Sequence, residues 1–174
     1  MRPMTGFAPY LPRRGARSEH ITLRGLRTHL NVWGDESLVT PGRPAVVMLH
    51  GWMDVGASFQ FVVDAMRPDR YVIAPDWRGF GASEAPAGDC YWFPDYLADV
   101  DAMLQALNIA GTIDLVGHSM GGNVAMSYAG VRPERNYWLH TDRGPAWIGA
   151  EALWTGAVAG VAATRGDVEL VDLD

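Results

Sequence analysis

Short, mostly apolar runs alternate along this chain with longer segments in which apolar residues recur every three or four positions. Runs at 44–49, 71–74 and 113–116 predict buried strands. Segments 94–107 and 119–131 have helical spacing; a proline opens the first and another follows the second. This order predicts an α/β fold with a mainly parallel twisted sheet and helices on both faces.

Weaker patterns predict the remaining elements. Residues 19–24 and 27–33 alternate around Gly25, which predicts an opening hairpin with His20 and His29 exposed. Ser58 is expected to cap a helix that runs to Met66. Residues 137–141 are compatible with a sixth strand.

Composition narrows the classes of partner and compartment. The formal net charge of −6 argues against nucleic acid as a partner, and 174 residues suffice for one domain with a core. All basic residues are arginine, which indicates a GC-rich, bacterial coding sequence. The single cysteine, Cys90, rules out an intramolecular disulfide and favours a reducing cytoplasm. We expect a flexible leader over 1–18, and no segment is apolar enough to span a membrane.

The most informative motif follows the run at 113–116. Gly117-His118-Ser119-Met120-Gly121 fits G-x-S-x-G, the nucleophile elbow, in which a strained turn between strand and helix exposes a serine hydroxyl. The glycines are expected because a side chain at either position would collide with the neighbouring strand or helix. The N–H of Met120 would lie at a helix N-terminus, where it can face a developing oxyanion.

Two further motifs precede this turn. His50-Gly51-Trp52 and Asp54 follow the first buried run, and DWRGFGAS follows the second at 76–83. In this order and spacing, the three motifs resemble the α/β-hydrolase family over residues 19–135. They are most similar to its small serine-hydrolase-like bacterial members.

The resemblance implies a role for each motif residue. Ser119 would be the nucleophile of an acyl-enzyme mechanism on a small ester-like substrate, with no cofactor and no metal. The backbone N–H groups of Trp52 and Met120 would form the oxyanion hole.

The remaining motif residues would support the site. Asp76 and Arg78 would hold their loop together, and Asp54 would order the oxyanion loop. The residues that shape loop and elbow would be His50, Gly51, Gly117, His118 and Gly121. Family members that open epoxides use an aspartate nucleophile, which Ser119 argues against.

The pattern breaks after residue 135. The family's catalytic triad runs in the order serine, acid, histidine, but His140 is the only histidine after Ser119, and no histidine follows Asp142, the candidate acid at the end of the sixth strand. Residues 136–174 are rich in Ala, Gly and Trp and look foreign to the family. We expect truncation or a frameshift near residue 136, the alternative being a natural short variant with a rearranged C-terminus.

This break leaves two functional hypotheses open. The first is a serine-type hydrolase that is impaired because the acid and histidine are missing. The second is a non-catalytic pseudoenzyme or fragment that keeps part of the binding site. The strand at 113–116 would then become a sheet edge, which favours self-association.

Overall fold

The computed structural model describes residues 10–141, including the side chains up to Arg135 and that of Leu139. The helices of this range are α1 (Gln60–Ala65), α2 (Phe93–Ala106) and α3 (Met120–Val131), with short 3₁₀ turns at Glu36–Leu38, Gly56–Phe59 and Pro133–Arg135. Its strands are β1 (Arg17–Leu23), β2 (Leu26–Trp33), β3 (Ala45–Leu49), β4 (Val72–Pro75), β5 (Ile113–Gly117) and β6 (Asn136–Thr141).

All of these strands join one sheet in the order β1-β2-β4-β3-β5-β6. β1 and β2 are antiparallel to their neighbours, whereas β4, β3, β5 and β6 run parallel. The predicted mainly parallel sheet is therefore confirmed. Leu49 at the end of β3 pairs with Gly117 at the end of β5, so the loops that follow these two strands lie side by side.

Hydrophobic packing covers both faces of the sheet. Alternate residues of β3 point to opposite sides: Val47 and Leu49 join the core beneath α2 and α3, and Val46 and Met48 pack on the other face. That second face is closed by α1 through the fully buried Val63. Helices on both faces, predicted from the alternation of patterns, are confirmed.

The expectation that the strand at 113–116 becomes a sheet edge is wrong. β5 pairs in parallel with β3 on one side and with β6 on the other. β6 consists of residues 136–141, the first part of the segment that looked foreign, because pairing uses the backbone and tolerates unusual side chains. Asp142 lies outside the described residues, as do 1–9 and the rest of 142–174.

Two local expectations are corrected. Ser58 does not cap a helix: it lies inside a 3₁₀ turn and its hydroxyl donates to Asp54, so α1 begins later, at Gln60. His20 is exposed as expected, but His29 is only 8% exposed because it bonds to the buried Asp76.

The N-terminal region makes defined contacts where it is described. β1 begins at Arg17, inside the segment predicted as a leader. Upstream, the backbone N–H groups of Arg13 and Arg14 donate to the Asp64 carboxylate of α1 at 2.9 and 3.0 Å. Within residues 10–141 there is no helix whose length and apolar character would let it cross a membrane.

Candidate active site

The turn between β5 and α3 has the strained geometry predicted for it. Ser119 has φ 52° and ψ −115°, a conformation that costs a non-glycine residue about 1–3 kcal/mol. The strain is held by backbone hydrogen bonds on both sides, because the His118 carbonyl accepts from Gly121 at 2.9 Å and the Ser119 carbonyl accepts from Asn123 at 3.1 Å. Ser119 therefore stands at a sharp strand-to-helix turn, with α3 starting at the next residue.

Glycines allow this turn to approach its neighbours. A Cβ on Gly117 would lie 2.6 Å from Gly122 Cα, and a Cβ on Gly121 would overlap the carbonyl oxygen of Leu49. Real Cβ atoms do not come this close to backbone, so larger residues would push α3 away from β3 and β5. The reason given from sequence for both glycines is confirmed.

The loop after β3 is tied to the same turn. The backbone N–H of His118 donates to the Leu49 carbonyl at 3.0 Å. Gly51 lies directly against the elbow, since a Cβ on it would lie 3.3 Å from Ser119 Cβ and 2.9 Å from His118 Nδ1. The two motifs that lie far apart in the sequence are thus adjacent in the fold.

His50 holds this loop from inside the protein. It is fully buried, and burial lowers its pKa below the ordinary value, so the ring is neutral at pH 7. The Trp77 backbone N–H donates to His50 Nε2 at 2.9 Å, so the ring proton is on Nδ1 and donates to the Gly51 carbonyl at 2.7 Å. The Trp77 indole N–H also donates to the His50 carbonyl, at 2.9 Å.

This bond fixes the orientation of the next N–H. No peptide bond among the described residues is cis, so the N–H of Trp52 points opposite to the Gly51 carbonyl that His50 holds. Neither the Trp52 N–H nor the Met120 N–H donates a hydrogen bond to another group within residues 10–141. The two predicted oxyanion donors belong to residues beside the elbow, since Met120 follows Ser119 and Trp52 follows Gly51, which lies against Ser119.

The Trp52 side chain lies at the surface beside these groups. It is 59% exposed and contacts Phe80 edge-on, with ring centroids 5.2 Å apart. Asp54, further along the loop, accepts from the Val55 N–H and the Ser58 hydroxyl. Burial opposes ionisation of Asp54, but these hydrogen bonds outweigh it and lower its pKa. Its carboxylate also lies 4.0 Å from His118 Nδ1, so this loop is close to the turn that carries Ser119.

Asp76 and Arg78 hold their loop together, as predicted. Both are nearly buried, at 3% and 5% exposure. Asp76 accepts from the backbone N–H groups of Gly56 and Ala82 at 2.8 and 2.9 Å. Arg78 makes two 2.6 Å hydrogen bonds to the carboxylate of Asp99 on α2. Their bonds are directed into the protein, which suits a structural role.

Two residues that support the site were not predicted from the sequence. Trp77 was not singled out, although its two N–H groups position His50, and Phe80 packs against the rings of both His50 and Trp52. Both residues belong to the DWRGFGAS motif, so the motif was the available signal. The contact between this motif and His50 could not be inferred from the sequence, because it joins the segments that follow two different strands, β4 and β3.

Of the candidate base His140 and the candidate acid Asp142, the structure describes only the backbone of His140. His140 lies in β6, where its backbone pairs with Val116, three residues before Ser119. The His140 side chain and Asp142 lie outside the described part of the chain, so the roles of these two residues stay predictions. Among the side chains that are described, no group of three His, Cys, Asp or Glu could hold a metal ion.

Comparison with known proteins agrees with this architecture. A family model described as alpha/beta hydrolase fold matches residues 44–137. A serine hydrolase-like protein from Danio rerio is 40% identical over 104 residues, 59% of this chain and 30% of that protein. An epoxide hydrolase from Caballeronia sordidicola is 32% identical over 123 residues, 70% of this chain and 35% of that protein.

A solved structure extends the comparison to the fold. The epoxide hydrolase of Vigna radiata superposes with a TM-score of 0.64 over 87% of this chain and 47% of that one, at 24% identity. At this identity the likeness concerns the fold alone. The matched regions cover about a third of the length of each curated relative and about half of the length of the Vigna radiata chain.

Proposed function

Since this chain belongs to the alpha/beta hydrolase fold family, we propose that it is a serine-type hydrolase acting on an ester or related acyl bond. The observation that carries the proposal is Ser119 in its strained turn, beside the residues of the two predicted oxyanion donors. A serine at the elbow favours acyl transfer over the epoxide opening named for some relatives.

The chemistry assigned to the site is nucleophilic. The Ser119 hydroxyl oxygen attacks the carbonyl carbon, the C–O bond to the alcohol breaks, and the hydroxyl proton leaves with the departing alcohol. Water later attacks the acyl-enzyme, which releases the acid and restores the Ser119 hydroxyl. The Trp52 and Met120 N–H groups stabilise the oxyanion of each tetrahedral intermediate. His50 acts as a positioning residue, because its Nδ1–H holds the Gly51 carbonyl and so orients the Trp52 N–H.

The proposed enzyme needs a general base for Ser119, and the sequence offers few candidates for this role. In this sequence His140 is the only histidine after Ser119, and it precedes Asp142, the candidate acid. A serine without a positioned base is a weak nucleophile, so we propose that this chain hydrolyses esters poorly. The same observation supports the second candidate function, a non-catalytic chain that retains part of the binding site.

Further parts of the proposal rest on the sequence. The substrate is a small ester-like molecule, nucleic acid is not a partner, and the protein is bacterial and cytoplasmic. The leader proposed over 1–18 and the atypical tail proposed over 136–174 both overlap the hydrolase domain, because β1 begins at Arg17 and β6 covers Asn136–Thr141. Self-association stays in the proposal only through β1 and β6, the edge strands of the sheet formed by residues 10–141, because β5 is paired on both sides.

The test separates an activated Ser119 from an inert one. We expect a fluorophosphonate probe to label Ser119 slowly, and p-nitrophenyl acetate turnover by the full chain to differ little from that of Ser119→Ala. Labelled residues are assigned by peptide mass spectrometry. No labelling of Ser119 would favour the non-catalytic candidate. A large difference in turnover would show that a histidine completes the site, and His140→Ala would identify it.

A further inference from the structure

A second serine takes part in a hydrogen-bonded array far from the elbow. Ser18 Oγ on β1 lies 2.7 Å from His29 Nε2 on β2, and His29 Nδ1 lies 2.8 Å from Asp76 Oδ2 after β4. Ser18 pairs across the hairpin with Asn31, and His29 is two residues away on the same face. We call these three residues the Ser18–His29–Asp76 relay.

The partners determine where the protons lie in the relay. The Asp76 carboxylate already accepts from two backbone N–H groups and from Asn31, so towards His29 it is an acceptor and Nδ1 carries the ring proton. The Nε2 atom of the neutral ring then holds a lone pair, and the Ser18 hydroxyl donates to it. This is the connectivity by which a histidine activates a serine as general base.

Burial and exposure are distributed as a reactive hydroxyl requires. Asp76 is 3% exposed and His29 is 8% exposed, whereas Ser18 is exposed on the edge strand. On the same face, the His20 ring lies 5.0 Å from the His29 ring, and Arg27 donates to His20 Nε2 at 3.1 Å.

We propose that Ser18 is a second reactive serine, which accepts an acyl or phosphonyl group from an activated donor. Ser18 Oγ forms the new bond to carbon or phosphorus, and the bond to the leaving group breaks. The hydroxyl proton passes to His29 Nε2 and then to water. The ligand class is therefore a small electrophilic acyl donor, such as an aryl ester or a thioester.

The surroundings of Ser18 also predict how the reaction ends. Ser18 lies within a β-strand rather than at a helix N-terminus, so its surroundings lack the strained turn that directs two amides at one oxyanion. The reaction therefore modifies Ser18 once and does not turn over. This inference does not rest on the function proposed for Ser119.

The experiment uses the full chain carrying Ser119→Ala, treated with an alkyl fluorophosphonate. Peptide mass spectrometry follows adducts at Ser18 and at Ser58, an internal control whose hydroxyl is exposed and bonds directly to the Asp54 carboxylate without an imidazole. We expect Ser18 to react at least about 100-fold faster than Ser58, the usual contribution of a general base. The variant His29→Asn should remove most of this difference. Equal rates at Ser18 and Ser58, or a Ser18 rate that His29→Asn leaves unchanged, would overturn the proposal.

A second pair of variants leaves His29 intact, in case His29→Asn does not fold. Ser18→Cys and Ser58→Cys are compared in a Cys90→Ser background, because Cys90 is an exposed thiol. With iodoacetamide below the ordinary thiol pKa, we expect the thiol of Ser18→Cys to be alkylated at least about tenfold faster, since His29 takes its proton. Similar rates for the two variants would contradict an activating role of His29.

Discussion

The chain carries two serines that are prepared in different ways. At Ser119 the backbone provides the preparation: a strained turn, close glycine contacts and two adjacent amides. At Ser18 side chains provide it, through His29 and the buried Asp76, on an ordinary strand. In the proposed roles, the two parts of nucleophilic catalysis, an oxyanion site and a base, depend on different structural features and occur at separate places in one fold.

The largest effect is expected where backbone approaches backbone. Gly121→Ala should lower the free energy of unfolding by about 3 kcal/mol or abolish folding, because the new Cβ overlaps the Leu49 carbonyl. Gly111→Ala is the control, since its Cβ would meet nothing within 4 Å. Urea unfolding measures both variants. Equal stabilities would mean that close packing does not hold the elbow.

The loop at Asp76 connects the two serine regions and provides the next test. Asp76→Asn should lower the free energy of unfolding by about 2–3 kcal/mol. The buried carboxylate accepts several hydrogen bonds, and the amide replaces one of its two acceptor oxygens with an NH2 donor. It should also slow labelling of both Ser18 and Ser119, since Trp77 follows Asp76 and holds His50. If only Ser18 slows, the two regions are independent.

The backbone preparation at Ser119 is tested through His50. His50→Phe should slow fluorophosphonate labelling of Ser119 by about 10–100-fold, somewhat less than the loss of a whole oxyanion donor, because Gly51 is no longer held. Val63→Ala, on the opposite sheet face, is the control for general destabilisation. Comparable slowing in both variants would exclude a positioning role for His50.

Stability at low pH reports the neutral state of His50. Burial lowers its pKa in the folded protein, so below about pH 6.5 the unfolded chain binds more protons than the native state. Stability should be retained above this pH and fall below it, by up to about 1.4 kcal/mol per unit until the lowered folded pKa is reached. Urea titrations at pH 7 and 5.5 should show this loss in the wild type and in His20→Asn, but not in His50→Phe. A loss that persists in His50→Phe would assign it to other groups.

The smallest effect is expected from the most conspicuous side chain near the elbow. Trp52→Ala should change Ser119 labelling by less than about twofold, because the proposed role uses only the backbone N–H. The indole is 59% exposed, so stability should also change little. Labelling kinetics with an uncharged fluorophosphonate measure this. A drop of tenfold or more would show that the indole binds the acyl group.

The sequence was a good guide wherever a feature is local. Alternating patterns predicted the hairpin, the parallel strands and helices α2 and α3 to within a few residues. The elbow at Ser119 was predicted because glycines, strand and helix are all close in the chain. Predictions failed where distant segments decide the outcome: His29 was expected to be exposed, and β5 was expected at an edge.

The physical reason for this division is the range of the interactions. By itself the sequence determined the order of helices and strands and the position of Ser119 at a tight strand-to-helix turn. Both follow from periodicity and glycine positions, which act over a few residues. Only the tertiary structure decided that Trp77 fixes the tautomer of His50, and that Ser18, His29 and Asp76 form one relay. Those contacts join side chains that adjacent strands of the sheet bring within hydrogen-bond distance, and no local pattern encodes them.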